Sequence, residues 1–220
     1  MINERLQEWG RIQARRVAQW LRWTGLTPNM LTVIGLLLNG GVALVLARGH
    51  LFWGGVFVLA AGLFDLLDGA MARVTNRISP FGAFFDSTLD RYSEVIVYLG
   101  LLSYILGTGD ARLGAILIYL TICGSLLVSY ARARAEGLGY KLQVGLLARP
   151  ERIIILSLGL LVGRPLWALW LLAIFTNLTA AQRIYHLWAT THRDAAQPGQ
   201  ADQSGRRGGK ARRAPADAPK

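Results

Sequence analysis

Apolar residues along the chain fall into six long blocks separated by short polar connections. We place the blocks at 30–47, 51–72, 82–106, 113–131, 152–163 with its flanking residues, and 165–188. Blocks of about 20 predominantly apolar residues are long enough to cross the hydrocarbon layer of a membrane as α-helices. The pattern therefore predicts an all-α integral membrane protein with six transmembrane helices.

The two ends of the chain have a different pattern. Residues 2–23 place apolar side chains at helical spacing with arginines mostly on the other side, which is typical of an amphipathic interfacial helix lying among lipid headgroups. Residues 191–220 contain no Val, Leu, Ile, Met, Phe, Trp or Tyr, so they cannot bury enough apolar surface to fold. We therefore divide the chain into a juxtamembrane helix (1–28), a six-helix domain (29–190) and a disordered basic cytoplasmic tail (191–220).

Composition and charge exclude several other classes of protein. With 53% hydrophobic residues and one Cys, the chain is too apolar for an ordinary soluble domain and lacks the cysteines of a secreted disulfide scaffold. Its net charge of +11 comes mainly from the N-terminus, the second and fourth connections and the tail. Six spans put all those segments on one side, which the positive-inside rule makes the cytoplasmic side of the cell membrane. We therefore expect cytoplasmic termini, contact with membrane lipids and no nucleic-acid partner.

Four aspartates occupy positions where a charge is costly. Asp65 and Asp68 end the second block, and Asp86 and Asp90 begin the third. A charged side chain inside the hydrocarbon layer costs about 2.5 to 3.5 kcal/mol, and helical spacing places each pair on one face, one turn apart. If the two helices form a hairpin, the inner pair lies at one depth and the outer pair at another. We therefore expect the four carboxylates to converge, whereas Glu94, one turn further on, is expected to be structural.

The residue types around these acids suggest a metal-dependent site. Carboxylates without nearby His or Cys are hard oxygen ligands, which suit Mg2+ or Mn2+. Four negative charges balance two divalent ions, and paired ions are a common device for displacing phosphate groups. Gly69, Ala72 and Gly82 leave room beside the acids, and Arg73 can bind a phosphate. The pattern predicts a site for a phosphate-bearing substrate at the cytoplasmic membrane interface.

The acidic segment can be written as a motif with eight fixed positions over 26 residues, Asp65-x2-Asp68-Gly69-x2-Ala72-Arg73-x8-Gly82-x3-Asp86-x3-Asp90. It resembles the motif of the CDP-alcohol phosphotransferases at every fixed position. The resemblance implies an enzyme that moves a substituted phosphate from a CDP-linked donor to an alcohol and releases CMP. It implies that Asp65, Asp68 and Asp86 bind the metals, that Asp90 is the general base, and that Gly69, Ala72, Arg73 and Gly82 bind CDP. Spacing alone does not distinguish Asp90 from Asp86 as the base. The family also leads us to expect a homodimer.

Basic residues near the cytoplasmic ends of the last three blocks point to the alcohol acceptor. They occur in a Ser-Tyr-x-basic-Ala-Arg-Ala-Glu segment that begins at Ser129, in Arg149-Pro150-Glu151-Arg152, and at Arg183. Cationic groups that converge beside the metals can bind a phosphorylated acceptor. The arrangement is similar to the actinobacterial phosphatidylinositol phosphate synthases. This similarity implies CDP-diacylglycerol as donor, inositol phosphate as acceptor, and Ser129, Arg132, Arg152 and Arg183 as acceptor-binding residues.

Several alternatives remain open at this point. Arg132 stands where the synthases lead us to expect Lys, so glycerol 3-phosphate or another polyol is an alternative acceptor. Arg134 and Arg149 fit anchoring to headgroups as well as they fit substrate binding. A polyprenyl transferase would need two acidic stretches on separate helices, and an ion-coupled transporter would need broken helices near the midplane. Neither pattern is found in this sequence.

Overall fold

Six α-helices make up the part of the chain that the structure, a computed structural model, describes. It describes residues 25–75, 79–142 and 144–196 together with Arg16, Gln19 and Trp23, and only the backbone at residues 68 and 194–196. The helices are α1 (Pro28–Ala47), α2 (Leu51–Val74), α3 (Pro80–Ile105), α4 (Ala111–Gly137), α5 (Arg149–Leu161) and α6 (Pro165–Ala196). Within these ranges no β-strand occurs, so the all-α fold class is confirmed.

Capping chemistry sets the start of two helices. Thr27 Oγ1 accepts a hydrogen bond from the amide three residues later at 3.3 Å, and Ser79 Oγ does the same at 2.9 Å. Pro28 and Pro80 follow these caps inside the first turn, where a missing N–H costs no helical hydrogen bond. These caps explain why α1 and α3 begin two residues before the apolar blocks predicted at 30–47 and 82–106.

Four of the described helices are long and apolar enough to cross a membrane: α1, α2, α4 and α6. Helix α3 differs because it carries Asp86, Asp90, Arg91 and Glu94, and α5 has only 13 residues, fewer than the roughly 20 that span the hydrocarbon layer. Large apolar side chains face outward, for example Leu37 (68% exposed) and Trp167 (71% exposed). The chain is an integral membrane protein.

The helix ends differ from the predicted blocks at several places. Helix α4 continues to Gly137, beyond the block predicted at 113–131. Helix α6 continues to Ala196, so residues 191–196 are helical and the prediction of disorder for them is wrong. The Trp188 and His192 rings lie 4.5 Å apart on successive turns there, which stabilises a helix that the missing apolar residues did not suggest. The rest of the predicted tail and nearly all of the predicted amphipathic helix at 2–23 lie outside the described residues.

Helix packing brings α2, α3 and α5 around one end of the molecule. Helix α1 packs on α2 and α3, α2 packs on α5, and α4 packs on α3 and α6. The shared core includes Leu46, Leu101, Leu117, Leu160 and Leu169. Helices α1 and α3 approach so closely that a Cβ on Gly100 would overlap the backbone of Ala43. This tight pairing fixes the position of the acidic half of α3 against its neighbours.

Candidate active site

Two of the four aspartates share one arginine. Asp65 on α2 accepts a hydrogen bond from Arg149 Nη2 at 2.6 Å, and Asp90 on α3 forms an ion pair with Nη1 of the same guanidinium. Both carboxylates are largely buried, with side-chain exposures of 15% and 16%. Asp65 and Asp90 were predicted to lie at one depth in the helical hairpin, and in the structure both contact the same arginine at the start of α5.

Asp86 is near enough to Asp65 and Asp90 for the three negative charges to repel one another. Repulsion of this kind favours a cation among the carboxylates. A Cβ on Gly35 of α1 would lie 3.1 Å from Asp65 Oδ1, so the glycine keeps space beside this oxygen. Among the described side chains no three of His, Cys, Asp or Glu form a group that could hold an ion, and the Asp68 side chain lies outside that set. The carboxylate donors nevertheless fit Mg2+ or Mn2+ in kind.

All four predicted CDP-binding residues line one cleft of about 300 Å³ between α1, α2 and α3. They are Gly69, Ala72, Arg73 and Gly82. Asp86 lines the same cleft, and the opposite wall is formed by Pro28, Asn29 and Thr32 at the start of α1. A cleft with small residues, one arginine and one aspartate offers room for a nucleotide diphosphate next to the acids. We call it the donor cleft.

All four predicted acceptor-binding residues line a second cleft, of about 740 Å³, between α3, α4, α5 and α6. They are Ser129, Arg132, Arg152 and Arg183. Arg91 and Arg149 also line this cleft, and Glu136, which pairs with Arg132 at 2.8 Å, is its one acidic lining residue among those described. Five arginines line this cleft, four of them paired with nearby carboxylates, so the cleft offers a phosphorylated ligand several guanidinium groups without a large net charge. We call it the acceptor cleft.

The connection between α4 and α5 is held in place by Arg183 of α6. Its guanidinium donates hydrogen bonds to the Val144 carbonyl at 2.9 Å and to the Val128 carbonyl. Gly145 has φ +153°, and a Cβ there would lie 2.9 Å from Thr179 Cγ2, so only glycine fits easily where the connection crosses α6. The buried Arg183 guanidinium is therefore held by neutral carbonyl oxygens, so its positive charge remains available to an anion in the cleft.

Glu94 forms the centre of a buried network behind the acceptor cleft. It pairs with Arg152 through two hydrogen bonds, from Nε at 3.0 Å and from Nη2 at 3.3 Å, and accepts a third from Ser125 Oγ at 2.7 Å. Ser129 Oγ donates to the Ser125 carbonyl at 3.2 Å and is also bonded by Arg91. One carboxylate thus joins α3, α4 and α5.

The two clefts meet on α3. Ala83 lines both of them, one turn before Asp86 and two turns before Asp90. Asp86 lines the donor cleft near this meeting point, and Asp90 pairs with Arg91 and Arg149, which line the acceptor cleft.

Sequence reasoning missed part of this arrangement. Arg91 was not singled out, although it follows Asp90 directly and lies 3.9 Å from its carboxylate. Arg149 was left undecided and lies in the site, whereas the equally undecided Arg134 lines an apolar groove beside Leu127 and Trp188. Glu94 was expected to be structural from its place one turn after Asp90, but spacing could not identify its partner Arg152 on α5.

Residues 25–191 match the family described as CDP-alcohol phosphatidyltransferase. The phosphatidylinositol phosphate synthase of Mycobacteroides abscessus is 38% identical over 178 residues, which cover 77% of this chain and 80% of that protein. The archaetidylinositol phosphate synthase of Pyrococcus horikoshii is 36% identical over 171 residues, covering 77% of this chain and 88% of the relative.

Solved structures agree with the sequence relatives. The crystal structure of Mycobacterium tuberculosis phosphatidylinositol phosphate synthase with CDP-DAG bound superposes with a TM-score of 0.74 at 35% identity, covering 80% of this chain and 93% of that one. The same enzyme in complex with manganese and citrate also gives 0.74, covering 88% of its own chain. These similarities confirm the resemblance seen in the acidic motif, and the chain belongs to the CDP-alcohol phosphatidyltransferase family.

Proposed function

We propose that the protein transfers a phosphatidyl group from CDP-diacylglycerol to an inositol phosphate and releases CMP, as a step of phospholipid biosynthesis. One observation carries the proposal: the donor cleft and the acceptor cleft, each lined by all the residues assigned to it, meet at Ala83 beside the acids. Support also comes from relatives named phosphatidylinositol phosphate synthase and from a solved relative with CDP-DAG bound.

In the proposed reaction, the acceptor hydroxyl oxygen forms a bond to the phosphorus that carries the diacylglycerol. The bond from that phosphorus to the bridging diphosphate oxygen breaks, and CMP leaves with that oxygen. Asp90 takes the hydroxyl proton as general base. Arg149 and Arg91, which line the acceptor cleft, contact the Asp90 carboxylate and would hold it in place for this step.

We further propose that Asp65, Asp68 and Asp86 bind two divalent cations, Mg2+ or Mn2+. Bound ions would neutralise the diphosphate and stabilise the departing CMP. The described carboxylates fit this role in donor chemistry, and the relative crystallised with manganese supports it. Gly69, Ala72, Arg73 and Gly82 would hold the CDP moiety beside these acids.

The arginines of the acceptor cleft favour a phosphorylated alcohol. Five arginines line the cleft, and guanidinium groups bind phosphate through paired, charge-assisted hydrogen bonds that an uncharged polyol cannot form. Glycerol 3-phosphate is the second candidate, because it too joins a phosphate to free hydroxyls. Membership of the family leaves the polyprenyl transferase and the ion-coupled transporter without support.

We propose that six spans place both termini in the cytoplasm, in the cell membrane. The arginine-rich connections and the two clefts lie at one end of the helices, whereas Arg48, Arg112 and Arg164 mark the other. We also propose a homodimer, an amphipathic interfacial helix within residues 1–28, and a disordered basic tail after the end of α6. Labelling by an impermeant maleimide in intact cells tests the orientation: in a Cys123→Ser background, Arg48→Cys should react and Arg134→Cys should not.

Release of CMP by purified protein with CDP-diacylglycerol tests the reaction. A panel of inositol phosphate, inositol, glycerol 3-phosphate and glycerol should give the highest kcat/KM for inositol phosphate. A chelator should stop the reaction, and Mg2+ or Mn2+ should restore it. Full activity of an ion-free preparation, or a preference for an uncharged alcohol, would contradict the proposal.

A further inference from the structure

Glu94 is a charged residue for which the proposed chemistry has no role. It lies on α3, one turn after Asp90, and its side chain is 15% exposed. A buried carboxylate is costly unless it is paired and hydrogen-bonded. Glu94 is paired with Arg152, which lines the acceptor cleft, and with Ser125, which contacts the cleft residue Ser129.

The contact with Glu94 fixes the orientation of the Arg152 guanidinium as well as neutralising its charge. The pair uses Nε and Nη2 of the guanidinium, and a planar guanidinium held at two nitrogens cannot rotate. Arg152 is 3% exposed, lines the acceptor cleft, and within the described part of the chain its Nη1 donates no hydrogen bond. The third nitrogen is therefore left for a ligand.

The second set of contacts reaches Ser129. Ser125 Oγ donates to Glu94, and the Ser125 carbonyl accepts from Ser129 Oγ. The same hydroxyl of Ser129 is bonded by Arg91. Glu94 thereby connects two of the four residues assigned to the acceptor, although it does not line their cleft itself.

We propose that Glu94 is a positioning residue for the acceptor: its carboxylate aims Arg152 at the acceptor's phosphate and so sets the preference for phosphorylated over unphosphorylated alcohols. This inference rests on the proposed function. It differs from a purely structural role for Glu94, because a residue that only held three helices together would affect both substrates alike.

Steady-state CMP release by Glu94→Gln tests the proposal. A glutamine offers one oxygen to three competing donors and removes the charge, so the guanidinium loses its fixed direction. We expect the KM for inositol phosphate to rise about ten-fold, in line with the loss of a charge-assisted hydrogen bond, with the KM for CDP-diacylglycerol unchanged. Asp110→Asn, the same acid-to-amide change at the start of α4 and far from both clefts, should change neither constant.

A double-mutant cycle separates positioning from structure. If Glu94 acts through Arg152, then Glu94→Gln should add no further rise in the acceptor KM to a protein that already carries Arg152→Gln. An equal additional rise in that background would overturn the proposal, as would a rise in both KM values or an acceptor KM that is unchanged or lower in Glu94→Gln.

A milder variant covers the case in which Glu94→Gln does not fold. Ser125→Ala removes one hydrogen bond from the carboxylate and keeps the arginine, so we expect a rise of about two- to three-fold in the acceptor KM alone. An unchanged acceptor KM would then count against the proposal.

The wild-type panel keeps this inference distinct from the proposed function. If the wild type prefers another phosphorylated alcohol, the inositol phosphate assignment fails, and the same variants measured with that alcohol still decide the role of Glu94. If the wild type uses only unphosphorylated alcohols, both the assignment and the role of Glu94 are wrong.

Discussion

Arg149 at the first position of α5 forms an ion pair with Asp90 of α3, and the same guanidinium bonds Asp65 of α2. A single cation thus pairs with two acids from the motif and brings three helices together. Because both acids are mostly buried, the arginine is the counter-charge that makes the metal-free arrangement tolerable.

Arg149→Gln should therefore destabilise the metal-free protein. Leaving two mostly buried carboxylates without their cation should lower the free energy of unfolding by about 3 kcal/mol. Mn2+ should then raise the thermal unfolding midpoint more than it does in the wild type, because the ion takes over the missing charge. Midpoints measured in detergent, with chelator and with Mn2+, check this, and Arg164→Gln in the α5–α6 connection is the control. Equal midpoints for Arg149→Gln and wild type in chelator would refute the role of the arginine.

Asp90→Asn should abolish most turnover. An amide keeps the shape of the side chain but cannot accept the hydroxyl proton, and loss of a general base lowers kcat by about 10²- to 10⁴-fold. Binding of CDP, measured by calorimetry, should remain largely intact, since Asp90 does not line the donor cleft. Normal turnover in this variant would rule out Asp90 as the base.

Gly82→Ala should weaken binding of the donor and leave binding of the acceptor unchanged. The new Cβ would lie 3.0 Å from Ser79 Oγ and 3.4 Å from Asn29 Oδ1, in the wall of the donor cleft. We expect the KM for CDP-diacylglycerol to rise about five- to ten-fold, as crowding by one methyl group suggests, with the acceptor KM unchanged. Gly41→Ala on α1 is a matched control, because a Cβ there meets no atom within 4 Å. A larger change in the acceptor KM would move Gly82 out of the donor site.

Arg183→Gln should weaken binding of the acceptor. Its guanidinium supplies charge to the acceptor cleft and also holds the α4–α5 connection through the Val144 carbonyl. The KM for inositol phosphate should rise about ten-fold or more, because a charge-assisted contact is lost. Arg134→Gln should leave both KM values unchanged, since Arg134 lines the apolar groove instead. Similar effects in the two variants would mean that general surface charge, not the cleft, attracts the acceptor.

The sequence predicted the structure best for features that depend only on the regular spacing of residues along one helix. Counting residues back from the turn of the hairpin placed Asp65 and Asp90 at one depth, and they share an arginine in the structure. The cap residues Thr27 and Ser79 are equally local, because each contact spans only three residues. Such features depend on the fixed geometry of the α-helix and of its N-terminal cap.

What could not be predicted depends on how separate helices pack. Whether Arg149 or Arg134 enters the site is decided by the rotation of α5 against α2 and of α4 against α6, and apolar periodicity is weak in helices that lipid surrounds on one side. Glu94 was expected to be structural, and its partner Arg152, 58 residues away in the chain, could not be identified from helical spacing. Helix α5 begins three residues before the block predicted at 152–163 and ends at Leu161, just before Gly163, whose φ of 69° closes the helix.

Ala83, shared by the two clefts, has a consequence for how the reactants travel. A helix is only about 10 Å across, so the fatty tails of the donor can remain in the bilayer while the phosphorylated acceptor remains in water. Neither molecule has to cross into the other's solvent. A bulky residue at position 83 would hold the two bound substrates apart. It would lower the rate of their reaction even if each substrate still bound well on its own.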